Sequence, residues 1–199
     1  MRYRFSIPRS LAQTVALILI CGSVHGHIRV DYSRGLETRI KEIALSFVGI
    51  CELTGKNDGP VIEAIIRSVN APAHSPYCAA TVDSVLRAAG VINTPRSAWS
   101  PSFFPIARRI YWANKLKAGF EIQVGDIPGY YFPKLKRIGH VGINIGEFGD
   151  FKDNVEANTS NALTGEGLRN GGCILRKNVH KRRIYAYSRW KDQRKENLQ

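Results

Sequence analysis

Hydrophobic positions change their spacing part-way along this chain. Between residues 36 and 51, Leu36, Ile40, Ile43, Ala44, Phe47 and Val48 recur at intervals of three and four, which predicts a helix with one buried face. The run GKNDGP stops it, and Asp58 as cap with Pro60 as first-turn proline predicts a second helix through VIEAIIRSV. A third is predicted over residues 78–89, closed by Gly90. After an irregular aromatic stretch, WSPSFFPIARRIYWANKL, the period falls to two. GDIPGYYF, HVGINIGEF, NVEANTS and CILRKNVH read as strands. Helices followed by a run of antiparallel strands indicate an α+β domain.

Composition places this pattern in one compact domain with short tails. The chain has 199 residues, 44% hydrophobic and 23% charged, which suits a folded globule rather than a disordered segment. The net charge of +13 predicts attraction to a polyanion: nucleic acid, anionic membrane or acidic cell-wall polymer. The first 26 residues narrow the choice, because Arg2, Arg4 and Arg9 precede an apolar run over residues 11–21 and small residues with Val24 and Gly26 placed for cleavage. This is the layout of a secretory signal peptide. The run is shorter than the about 20 residues of a bilayer span, so the expectation is no membrane span after signal removal, with a retained interfacial anchor as the alternative. Cys21 follows Ile20 where a lipoprotein site needs a small residue. Export argues against nucleic acid and favours an anionic envelope surface. Most of the basic residues of the C-terminal stretch RKNVHKRRIYAYSRWKDQRK are then expected to form a solvated attachment face, or a basic surface that only keeps the protein soluble.

Cys78 opens the third predicted helix, where unpaired backbone N–H groups and the positive dipole end favour thiolate over thiol. A small buried hydrophobe is the alternative reading. His140 changes the balance, since Val141, Ile143 and Ile145 fill one face of its strand and leave His140 on the other, among glycines. Glu156 and Asn158 are two apart and are expected on one face of an extended segment, within reach of one imidazole. A thiol nucleophile needs a base, and the base a group that fixes its tautomer. His74 and His180 are competing bases with no acidic or amide partner beside them in sequence.

Together these stretches resemble the CHAP domains, cysteine- and histidine-dependent amidohydrolases and peptidases of bacterial cell walls. ELTGKNDGPVIEAIIRSV resembles the lead-in helices of an exported and phage-borne subgroup, and PYCAATVDSVLRAAG the nucleophile helix. VGDIPGYYF and RIGHVGINIG resemble the strand pair with the base, and VEANTSNALTGEGLRNGGCILRK the acid-containing strand and its hairpin. The resemblance implies a papain-like (CHAP or NlpC-type) α+β fold, with N-terminal helices packed on an antiparallel sheet. With the signal peptide read over residues 1–26, it implies one hydrolase domain over 27–199 with a basic C-terminal tail, acting as a monomer on peptidoglycan or another anionic cell-wall polymer. Cys78 would be the nucleophile, His140 the base, Glu156 the orienter and Asn158 a further polar site residue. Either the amide joining the sugar lactyl group to the peptide stem or one within the peptide would be cut. Tyr77, Thr81 and Ser84 stand where the family more often has aromatic residues, which bears on pocket shape. The rival readings are a non-catalytic basic envelope-binding protein on the same fold and a nucleic-acid-binding protein.

The NDG loop falls short of an acidic calcium loop, so no metal or other cofactor is expected. Signal removal would leave Cys51, Cys78 and Cys173, an odd number. Pairing Cys51 with Cys173 would spare the nucleophile, but the expectation is that both stay unpaired.

Overall fold

The computed structural model describes residues 30–159 and 172–191. The predicted signal peptide, the tip of the predicted hairpin after residue 159, and Arg194 and Lys195 lie outside the described residues. Three α-helices, α1 (Leu36–Ser46), α2 (Pro60–Arg67) and α3 (Cys78–Ala88), precede a seven-stranded sheet. Its strands are β1 (Arg109–Trp112), β2 (Lys115–Leu116), β3 (Ile127–Phe132), β4 (Arg137–Phe148), β5 (Phe151–Thr159), β6 (Cys173–His180) and β7 (Ala186–Ser188). The spatial order is β2-β1-β7-β3-β4-β5-β6 with every neighbour antiparallel, an α+β architecture. No described helix is long and apolar enough to cross a membrane.

Each helix follows its predicted face, with different ends. α1 buries Leu36, Ile40, Ile43 and Ala44 but ends at Ser46 rather than Cys51. Gly49 turns the chain at φ +93°, and its N–H reaches the carbonyl of Ile174 at 2.9 Å, so the chain leaves the helix to run beside β6. Gly59 holds the cap position of α2, and Pro60 takes its first turn as expected. Asp58 instead closes the preceding loop, its carboxylate accepting the N–H groups of Leu53 at 3.0 Å and Thr54 at 2.9 Å. α3 is buried from Cys78 through Leu86. Ala79 and Ala80 let it approach its neighbours closely, while the fully buried Asp83 holds Arg87 at 2.6 Å and the N–H of Arg96 at 2.9 Å.

All four predicted strands form, and three more join them. β7 comes from between the basic residues of the C-terminal stretch, where Ala186, Tyr187 and Ser188 are buried and pair with both β1 and β3. Four of the basic residues around it pair with carboxylates, while Lys181, Arg182 and Arg183 are exposed. Arg189 pairs with Asp126 at 2.8 Å, Lys191 with Glu37 at 3.0 Å, Arg176 with Asp153 at 2.7 Å and Lys181 with Asp150 at 2.6 Å. The alternating pattern of this segment is too short to outweigh its charge in sequence; burial between two strands decides its conformation.

Cys51 and Cys173, expected unpaired, form a disulfide across 122 positions. The backbone explains it. Gly49 N–H binds the Ile174 carbonyl and Ile174 N–H binds the Ile50 carbonyl at 2.8 Å, so the segment after α1 lies antiparallel to the start of β6 with Cys51 opposite Cys173. Directly opposed residues bring their side chains together.

Candidate active site

The first turn of α3, the middle of β4 and the end of β5 meet at one point. Cys78, the first residue of α3, has no capping side chain in front of it, so its helix start keeps bare N–H groups. His140 lies on β4 and Glu156 on the neighbouring β5, where Glu156 is paired with Gly142. Because His140 and Gly142 are two apart, they share a face, and Glu156 projects over Gly142 toward the imidazole. A Cβ at Gly142 would stand 2.8 Å from Glu156 Cγ and 2.9 Å from the Val155 carbonyl oxygen. The glycine therefore makes room for the carboxylate rather than leaving an open space.

His140 Nε2 lies 3.1 Å from Glu156 Oε2, and the imidazole is also a hydrogen-bonding neighbour of the Cys78 thiol. One ring edge faces the acid, which leaves Nδ1 for the sulfur. All three groups are nearly buried, at 4% exposure for Cys78, 6% for His140 and 3% for Glu156. Burial pushes the Cys78 thiol up, but the hydrogen bond and charge of His140, with Ser100 behind them, outweigh it and set the thiol below its ordinary range. Burial pulls His140 down, and the hydrogen bonds and charges of Cys78 and Glu156 reverse this and raise it. For Glu156, burial raises the carboxyl, and His140 and Tyr130 bring it below its usual value. The arrangement favours a thiolate and imidazolium beside a carboxylate.

Three contributors escaped the sequence reading. Tyr130 sits opposite His140 in the β3–β4 ladder, and its hydroxyl donates to Glu156 Oε1. Asn154 Nδ2 donates to the same hydroxyl at 3.0 Å. Burial and the nearby Glu156 charge push the Tyr130 phenol well above its ordinary range, so it stays a neutral donor. Ser100, in a 3-10 turn over Ser100–Phe103, brings its hydroxyl to 3.5 Å from the Cys78 sulfur. Alternation along β3 puts Tyr130 on the same face as Pro128, but only the register places it beside His140. Ser100 lies in the irregular aromatic stretch and carries no periodic signal.

Asn158 departs from the expected alternation. Its φ is +56° and the β5–β6 register shifts between Glu156 and Thr159, so the strand bulges there and the two residues do not follow one another along a flat face. The Asn158 backbone meets the hydroxyl of Tyr77, the residue capping α3. Tyr77 is fully buried, Thr81 donates to its carbonyl at 2.9 Å, and Ser84 lies 3.3 Å from Ser68. Tyr77, Thr81 and Ser84 are thus buried parts of the core around α3.

The competing histidines are elsewhere. His74 Nδ1 bonds the Lys56 carbonyl at 2.8 Å in the loop before α3, and His180 accepts the Arg182 N–H at 3.2 Å at the end of β6.

The chain matches no family model, no curated protein and no solved structure. The chemistry of the site therefore rests on its own geometry. Cys78, His140 and Glu156 stand in hydrogen-bonding sequence, with the Ser100 hydroxyl and the backbone of Val141 also at the sulfur.

Proposed function

We propose that the protein is an exported cysteine hydrolase of papain-like, CHAP-type fold that cleaves an amide bond of peptidoglycan. The observation that carries the reading is the chain of contacts from Cys78 at the start of α3 through His140 to Glu156. The Cys78 thiolate attacks the amide carbonyl, and the resulting oxyanion is met by the Cys78 backbone N–H, with the Ser100 hydroxyl as a second donor. Collapse expels the amine, which takes its proton from the His140 imidazolium. His140 then serves as base for the water that hydrolyses the acyl-enzyme, while Glu156 keeps the ring oriented. The net charge of +13 and the signal-like start of the chain support an anionic envelope polymer as substrate.

Digestion of purified peptidoglycan, analysed by mass for new amino termini or released stem peptides, tests the reading and identifies the bond. The parent protein is expected to release fragments and Cys78→Ala none, with the fold retained because a small residue at a helix start costs little packing. Equal digestion by Cys78→Ala would overturn the cysteine mechanism. Wall binding without digestion by either protein would favour the non-catalytic envelope-binding alternative.

A further inference from the structure

Away from Cys78, a cleft of about 240 Å³ opens between β1 and the segment after β7. Five cationic side chains line it: Arg108, Arg109, Lys117, Arg189 and Lys191. The backbone makes them converge. Lys117 N–H donates to the Ile110 carbonyl at 2.8 Å, and Arg189 N–H donates to the Arg108 carbonyl at 3.0 Å, so charged residues flank the start of β1 from both sides.

Their charges are unequally answered. Arg189 is held by the fully buried Asp126, with Nε 2.8 Å from Oδ1 and Nη2 2.9 Å from Oδ2. Lys191 binds Glu37 at 3.0 Å and Gln123 at 2.9 Å. Arg109 donates to the Phe104 carbonyl at 2.8 Å and lies 3.8 Å from the Trp112 ring centre, which fixes its guanidinium without neutralising it. Lys117 is exposed, with its ammonium 5.0 Å from the Phe120 ring centre. Neither Arg109 nor Lys117 forms an ion pair with a carboxylate among the described residues.

We propose that this cleft binds a phosphate group carried on a polyol- or sugar-sized neighbour. Several cations fixed around one hollow match an oxyanion that can accept from more than one donor, and a guanidinium already oriented by stacking loses little freedom on binding. The volume exceeds the needs of a single tetrahedral anion, and Phe120 gives the neighbouring group an apolar wall. The site is independent of the peptidase chemistry, since Cys78, His140 and Glu156 contribute nothing to its lining.

Calorimetric titration of the purified protein with glycerol 3-phosphate, with glycerophosphoglycerol and with acetate at matched ionic strength is the test. At least one phosphate ester is expected to bind more tightly than acetate. Preference for the monoester would indicate a terminal or free phosphate, and preference for the diester an internal phosphate of a polymer or lipid headgroup. Lys117→Gln should weaken ester binding about tenfold, the effect of one lost charge-assisted hydrogen bond. Arg109→Gln should do the same, with circular dichroism reporting whether the fold persists. Lys134→Gln, an exposed charge beyond β3, should leave affinity unchanged. Ester binding no tighter than acetate, or equal losses in Lys117→Gln and Lys134→Gln, would overturn the site. Retained ester binding by Cys78→Ala would separate it from the hydrolase reading.

Discussion

Tyr130 and His140 stand opposite each other in the β3–β4 ladder, with ring centres 5.4 Å apart, and both bind the carboxylate of Glu156. Tyr130 takes one oxygen and His140 the other, so the phenol fixes the carboxylate plane and the carboxylate fixes the imidazole. Tyr130, Glu156 and His140 thus form one hydrogen-bonded series.

Tyr130→Phe should accordingly act through position. It removes the hydroxyl, leaves Asn154 without that acceptor, and should lower kcat about tenfold with KM little changed, the loss of roughly one hydrogen bond to a charged group. Steady-state kinetics separate the two parameters. A rise in KM alone would assign Tyr130 to substrate contact instead.

The pH dependence follows from opposite shifts. Cys78 is set below its ordinary thiol value and His140 above its ordinary imidazole value, so the ion pair exists between them. On the acid side Cys78 gains a proton and the rate falls; on the alkaline side His140 loses one. The rate of alkylation by iodoacetamide should therefore stay high well below pH about 8.5, the usual thiol value. In His140→Ala its midpoint should move up toward that value.

Gly142→Ala probes the space over which Glu156 leans. The added methyl would collide with Glu156 Cγ and with the Val155 carbonyl oxygen. The rigid backbone cannot yield cheaply, so the carboxylate should swing away from His140, with a cost of about 1–3 kcal/mol for overpacking. Activity should fall at least as far as in Glu156→Gln, and a melting curve measures the stability loss.

Cysteine accessibility tests the disulfide directly. Of the four cysteines, Cys21 lies in the predicted signal peptide and Cys51 is bonded to Cys173, so unreduced, denatured protein starting near residue 27 should take up one alkyl group, on Cys78. After reduction it should take up three. Cys51→Ser with Cys173→Ser should lower unfolding free energy by about 2–4 kcal/mol, because the bridge closes a long loop in the unfolded chain. Denaturant titration with and without reductant measures this.

Local regularity made the helix faces, the four long strands, Cys78 at a helix start and His140 on an alternating strand legible in the sequence, because each depends on neighbours within a few residues. The contact of His140 with Glu156 was legible as a pairing of types, while its geometry needed the β4–β5 register. Tertiary structure alone decided the rest. It brought Tyr130 and Ser100 to the site from other elements, and bulged β5 at Asn158. It also set Cys51 against Cys173 and drew β7 out of a basic stretch into the sheet. In each case the deciding force is a hydrogen bond or burial between segments far apart in the chain, which no local pattern of residues records.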